Sequence, residues 1–259
     1  MRDFAWLTAH LPEGVAAWDA SSAYDTLSLM GPKSREVLAA ITDADLSNTT
    51  FPFATAQEID LAYARVWATR ITYVGELGWE LHMPVEFAAG VFEALLEAGK
   101  PHGMRLAGYH ALNSLRIEKA YRHWGHDITD EDTPLQSGLG FAVAWDKPGG
   151  FCGRDALLTL RGKPQGRRLV TFLLDDPAPL LLHNEPIWRD DVRVGHITSA
   201  MYGHTLGCSV GLGYVSHADG VTAEFIRDGR FEIEIAGERH AARATLKPPY
   251  DPGGARVRS

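Results

Sequence analysis

Apolar and polar positions follow two different textures along this chain. Near the start, Phe4, Leu7 and Leu11 recur at helical spacing over residues 3–11. Over 24–30, Leu27 and Leu29 alternate with polar neighbours, the period of a half-buried strand. Gly31-Pro32 opens a predicted helix over 33–41, with proline in the first turn, where a missing N–H is harmless. Residues 59–73 read as two strands turning near Tyr63-Ala64. In 84–98, Phe87, Val91, Leu95 and Ala98 share one helical face, and Gly99 offers a C-cap. Another helix is predicted over about 106–120. None of these strands has the long apolar run of a parallel sheet.

Beyond residue 167 the pattern changes to short strands at regular spacing. They are predicted at 168–174, 193–197, 210–215, 222–227, 231–235 and 241–246, each bounded by Gly, Asp or Pro and with no helix between them. Such a series indicates a small antiparallel barrel or sandwich. Gly162-Lys163-Pro164-Gln165-Gly166 is the natural linker. The expected organisation is therefore an α+β domain over 1–160 followed by an all-β domain over 167–250.

Composition narrows the function classes. The 259 residues are 45% hydrophobic and 22% charged, an ordinary globular balance. A net charge of −8 argues against a general nucleic-acid or anionic-membrane surface. Residues 1–6 lack the apolar centre of a signal peptide, and no run of about 18 apolar residues suggests a membrane span. Cys152 and Cys208 are the only cysteines, so no disulfide framework is indicated and a reduced, cytoplasmic compartment is expected.

Two clusters carry candidate chemistry. Tyr73-Val74-Gly75-Glu76-Leu77-Gly78-Trp79-Glu80 sets two carboxylates, two glycines and two aromatic rings within eight residues. The glycines permit a tight turn or a close backbone approach. A flat heterocycle can stack on Tyr73 or Trp79 while Glu80 accepts from ring N–H groups; taken alone, the pattern favours a hairpin corner with solvated glutamates. The second cluster runs from Leu115 to Asp127 and includes Arg116, Glu118, His123, Trp124, His126 and Asp127. His123, His126 and Asp127 are conceivable metal ligands, but no further ligand stands at a matching spacing and no HExxH or CxxC occurs. Arg116 fits either an anionic ligand or an internal ion pair. Gly211-Leu212-Gly213 lacks the third glycine and the helix of a dinucleotide site, and no G-x-S-x-G elbow marks a hydrolase.

The two clusters, in this order and separated by an amphipathic helix, resemble the glycine cleavage T-protein (aminomethyltransferase) family. Tyr73 to Glu80 is similar to that family's Tyr-x-Gly-Glu-x-Gly-aromatic-Glu motif. Leu115-Arg116-Ile117-Glu118 with Trp124-Gly125-His126-Asp127 is similar to its Leu-Arg-Leu-Glu…Tyr-Gly-x-Asp motif. Within the family, the chain resembles the C-terminal folate-binding part of sarcosine and dimethylglycine dehydrogenases. The shared segments include Ile117 to Trp124, Asp132 to Leu139 and Leu246-Lys247-Pro248-Pro249-Tyr250-Asp251-Pro252.

The resemblance implies a partial folate-binding aminomethyltransferase-like domain followed by a small antiparallel β-barrel. It implies tetrahydrofolate as the one-carbon acceptor, with FAD held only by a flavin-bearing dehydrogenase partner or a further domain that generates the iminium from an N-methyl amine. By carry-over, Glu80 receives pterin N–H groups, Tyr73 lines the ring, Trp124 stands where relatives have tyrosine, and Arg116 is a further folate-contacting candidate. A pterin is flat, donor-rich and apolar on its faces, so aromatic walls with a carboxylate rim suit it. Relatives draw an essential aspartate from a segment upstream of the part matched here, and Leu112 stands at a position where a basic residue is expected. No catalytic residue is therefore assigned, and the chain is not expected to be active alone. The rival implications are a non-catalytic folate-binding or assembly module and an inactive remnant. Assembly relatives carry a Lys-Gly-Cys-Tyr-type motif, whereas this chain reads Lys119-Ala120-Tyr121-Arg122.

Overall fold

A computed structural model describes residues 2–259. It divides into two compact units, the first comprising the chain up to Thr72, Glu76–Leu106 and Ala255–Ser259, the second Tyr73–Gly75 and Ala107–Gly254.

The first unit is built on a four-stranded antiparallel sheet of order β1-β4-β3-β2, from β1 (Tyr24–Met30), β2 (Ala56–Leu61), β3 (Ala64–Thr69) and β4 (Gly78–Pro84). The β2–β3 hairpin turns through Ala62, which adopts a positive φ of 53°. Helices α2 (Ser34–Ala39) and α3 (Val85–Gly99) pack on the sheet; α1 (Arg2–Ala9) lies nearer the start of the chain. Along β4 the period of two sends Trp79, Leu81 and Met83 into a core shared with Val37, Leu38, Val91 and Leu95, and leaves Glu80 and His82 on the other face. The helix expected to end at Gly99 instead runs into a 3-10 turn, Lys100–His102, which Gly103 closes at φ 71°.

The second unit contains a closed barrel of order β10-β5-β8-β7-β6-β9. Its strands are β5 (Arg167–Leu174), β6 (Pro186–Arg189), β7 (Val192–Gly203), β8 (Cys208–Ser216), β9 (Phe231–Ile235) and β10 (Glu238–Thr245). All its pairings are antiparallel, so the expected all-β architecture is present. Strand β5 alternates between two cores. Val170, Phe172 and Leu174 face a cluster with Ile187, Ile197, Phe231 and Ile233, while Leu169 and Leu173 join Ile117, Val210, Leu212 and Tyr214 outside it. The helix α4 (Tyr109–Glu118) packs on β7 and β8, which is why β8 is buried on both faces. Residues 107–160, expected in the first domain, cluster with the barrel strands in the second compact unit.

Two short helices depart from the expectation. Residues 222–227, read as a strand, form α6 (Ala223–Arg227); the Thr222 hydroxyl caps it by accepting from the Phe225 N–H at 3.1 Å. The other is α5 (Arg154–Leu160), which precedes the linker. No described helix is long and apolar enough to cross a membrane.

Candidate functional site

The Tyr73–Glu80 motif separates into parts with different duties. Gly75 takes a φ of 78°, and a Cβ there would meet three carbons of the Lys119 side chain at 3.1 Å. Its glycine is thus required by both conformation and space. A Cβ on Gly78 would lie 2.8 Å from the Leu29 carbonyl, because β1 and β4 approach closely there. Trp79 is 0% exposed and meets Phe51 edge-on at 6.1 Å. The expectation that a ligand ring stacks on Trp79 is therefore corrected: the indole faces the core because strand alternation pairs it with Leu81 and Met83. Glu76 lies 3.8 Å from Arg256.

Glu80 belongs to the first unit, half-buried on the face of β4 away from the core, between Ser28 of β1 and Thr69 of β3. Among the described residues, none forms a hydrogen bond or ion pair with its carboxylate.

Tyr73, Arg116 and Trp124 fall together in the second unit. The Tyr73 hydroxyl donates to the Arg122 carbonyl at 2.9 Å, and its ring lies nearly parallel to Tyr121, with centroids 6.1 Å apart. Burial raises the Tyr73 phenol above its ordinary value; the Arg116 charge opposes this, and Asp127 adds to it. Trp124 is 59% exposed on a turn in which Gly125 adopts a φ of 86° and donates to the Ile128 carbonyl at 2.8 Å. An exposed indole held on a short turn is available for stacking.

Arg116 takes the ion-pair alternative. Its Nη1 donates to Asp127 Oδ2 at 2.8 Å and to the Tyr121 carbonyl at 3.0 Å, and its Nε donates to Asn113 Oδ1 at 3.2 Å. Asp127 is 0% exposed and receives three further donors: the His123 N–H at 2.8 Å, the Thr198 hydroxyl at 2.5 Å and the Ser199 hydroxyl at 2.7 Å. Consecutive strand residues ordinarily point to opposite faces. The register shift between Ile197 and Ser199 in the β7–β8 pairing lets both hydroxyls reach one oxygen. Asp127 therefore ties loop 121–128 to the barrel, a role that its position in Trp-Gly-His-Asp did not disclose.

Other residues of the second cluster are likewise structural. Glu118 Oε1 accepts from the N–H groups of Thr205 and Leu206 at 2.7 and 3.1 Å, fastening the β7–β8 turn. Lys119 Nζ pairs with Asp251 Oδ2 at 2.8 Å, and Tyr250 donates its N–H to the Glu118 carbonyl, so the Lys247–Asp251 segment is held at the end of α4. Among the described residues, no three His, Cys, Asp or Glu side chains gather as a metal site.

His123 and His126 stack at 4.3 Å with planes 9° apart, and Tyr109 Oη lies 3.2 Å from His123 Nε2. Burial, then the His126 and Arg116 charges, lower the His123 pKa against a smaller opposing effect of Asp127. The folded state thus favours the neutral ring, and its contribution to stability is lost as the pH falls through that depressed pKa. In an NMR titration His123 is expected to titrate below the ordinary histidine value of about 6.5, and His126→Ala to move it upward. Titration at or above the ordinary value would contradict this environment.

Barrel, sheet and motif geometry together define a T-protein type of fold, and comparison with known proteins agrees. The family model described as "GCVT N-terminal domain" matches residues 1–147, and "Glycine cleavage T-protein C-terminal barrel domain" matches 167–251. The chain belongs to this family. It is 40% identical over 246 residues to 4-methylaminobutanoate oxidase (formaldehyde-forming) of Paenarthrobacter nicotinovorans, covering 95% of this chain and 29% of that protein. It is also 40% identical over 242 residues to human mitochondrial sarcosine dehydrogenase, covering 93% of this chain and 26% of the relative. The chain thus spans under a third of the length of these two relatives. Among solved structures, aminomethyltransferase T of the glycine cleavage system from Bartonella henselae superposes with a TM-score of 0.72 at 27% identity, covering 88% of this chain and 60% of that one.

Proposed function

We propose that this chain is the folate-binding, one-carbon-accepting part of an amine-demethylating protein of the sarcosine or dimethylglycine dehydrogenase type. The observation that carries the reading is the Glu80 carboxylate. Within its motif, Gly75, Gly78 and Trp79 are accounted for by packing, whereas Glu80 is half-buried and engaged by no described residue. A partly dry, unpaired carboxylate is costly unless a donor-rich ligand meets it. A reduced pterin, which carries several ring N–H groups, has the matching chemistry.

Glu80 is assigned the acceptor of those N–H groups, and Tyr73 and Trp124 the ring contacts. Arg116 is assigned to holding the Trp124 turn through Asp127 rather than to direct contact. Tetrahydrofolate supplies the nitrogen nucleophile when bound. The residues of this chain are assigned to holding and orienting it. Oxidation of the methylamine falls to a flavin-bearing domain or partner, in keeping with the dehydrogenase and oxidase names of the relatives.

Calorimetric titration with tetrahydrofolate tests this reading. Glu80→Gln retains shape but loses charge, and a charge-assisted hydrogen bond contributes about 1.5–3 kcal/mol, so affinity is expected to fall by roughly 10- to 100-fold. Equal binding by both proteins, or binding by neither, would remove the assignment.

A further inference from the structure

In the second unit, the wall of the barrel is incomplete along one side of β10. Strand β9 begins at Phe231, opposite Ala242, so Arg243–Thr245 have β5 on one side and no strand on the other. The Asp175 N–H donates to the Ala241 carbonyl at 3.0 Å, which fixes the alternation along β10. Ala241, Arg243 and Thr245 thus turn their backbone groups to β5, and Ala244 turns its N–H and C=O to the open side. Among the described residues, neither group of Ala244 has a hydrogen-bond partner, although the residue is half-buried.

A groove of about 640 Å³ follows this open edge, between β10 and α6. Its apolar lining includes Ile226, Phe231, Ala244 and Leu246, which also pack with the barrel core. Its charged lining is one-sided, with Arg227, Arg230, Arg243 and Lys247 set against Asp175, in a chain whose net charge is −8. Three of these cations pair with carboxylates: Arg243 with Asp175 at 3.1 Å, Arg227 with Asp228 at 2.7 Å, and Arg230 with Asp191 at 3.0 Å and Glu232 at 3.7 Å. The three arginine side chains are 61–69% exposed, so these pairs are weak and exchange partners readily. Lys247 forms no ion pair with any described residue. A basic rim, an apolar floor and an unmet strand edge together suit an extended peptide. An isolated anion would use only the first of them, and an anionic acyl chain only the first two.

We propose that the groove between β10 and α6 is a docking site for an acidic, extended peptide segment of a partner protein. The segment adds beside Arg243–Thr245 as a short strand and exchanges hydrogen bonds with the N–H and C=O of Ala244. Its alternate side chains divide by strand geometry: apolar ones lie over Ala244 and Leu246, and carboxylates turn to the basic rim. No residue of the folate reading takes part, so the site stands or falls separately from it.

The test uses the whole chain, isotope-labelled for NMR, with the acetylated and amidated peptide Glu-Val-Glu-Val-Glu as probe. Titration is expected to shift the Ala244 amide resonance and to show saturable binding that weakens as salt is raised. The peptide Lys-Val-Lys-Val-Lys, and the acidic peptide N-methylated at its central residues, should each bind at least roughly tenfold more weakly. Arg227→Gln combined with Arg243→Gln, both at exposed positions, should lose a similar factor while the chain melts as the parent does. Absence of saturable binding by the acidic peptide at millimolar concentration overturns the proposal. So does equal binding of the lysine peptide or undiminished binding by the double variant, since either leaves the basic rim without a role. Equal binding of the N-methylated peptide overturns it as well, because the groove is then an anion site and not a strand-docking edge. Resonance shifts confined to amides remote from Ala244 would place the peptide elsewhere and overturn it too.

Discussion

Asp127→Ala is expected to destabilise the second unit by about 3–5 kcal/mol, the range for removing one member of a buried ion pair. The aspartate is inaccessible and neutralises an arginine that is itself buried. The variant leaves the Arg116 charge without its counter-ion and frees the donors of His123, Thr198 and Ser199. With about 2–4 °C per kcal/mol for a unit of this size, the melting transition should fall by roughly 10 °C. Asp127→Asn keeps the shape and part of the hydrogen bonding, so a smaller loss is expected. Replacing both partners by apolar residues of similar volume should recover part of the stability, since no buried charge then remains unmatched. Calorimetry or urea denaturation measures all three. A change in Asp127→Ala of less than about 1 kcal/mol, the size of an exposed pair, would show that the carboxylate does not hold the loop.

Gly195→Ala should also be strongly damaging, for a steric reason. Gly195 lies in β7 opposite Val215 of β8, and a Cβ there would stand 1.8 Å from the Tyr214 carbonyl oxygen and 3.2 Å from the Val215 Cα. The obstacles are backbone atoms inside a closed barrel, so no side-chain rotation relieves them. Gly195 also pairs with Ile187 next to the irregularity in the β6–β7 register, where the strands are already displaced. Overpacking against side chains costs about 1–3 kcal/mol, and a backbone clash should exceed that. The expected result is a melting point lowered by about 5–10 °C, or loss of the cooperative barrel transition. Unchanged melting would mean that β7 and β8 are further apart at this point than the structure places them.

Much of the fold was legible because its information is local. The hairpin of β2 and β3, the helix α3 and the strands β5, β8 and β9 carry apolar positions at their own periods, and each was anticipated within a few residues. The element α6 was misread because Val221, Ala223 and Phe225 alternate as a strand would, and five helical residues are too few to display a period of 3.6. The Thr222 cap was the available signal. Strand β6 was missed since it has four residues and begins with proline.

The motif residues divide along the same line. Gly75 and Gly78 announced a constrained turn, and the structure supplies the reason in the Lys119 stem and the β1 carbonyl. Which aromatic ring would remain accessible was not legible. Trp79 and Glu80 are neighbours in sequence, and only the side of the sheet covered by α2 and α3 determines that the indole is buried and the carboxylate is not. His123 and Asp127 suggested a metal site by type, but the carboxylate is already engaged by four donors.

The sequence by itself determined most of the helices and strands, the antiparallel all-β second half and the resemblance to the family, because periodicity, turn residues and motifs act over a few neighbouring positions. The tertiary structure alone decided how charges are matched. Asp127 meets Thr198 across 71 positions. Burial removes water from these groups, and each must then find its partner in whatever segment the closed fold brings beside it.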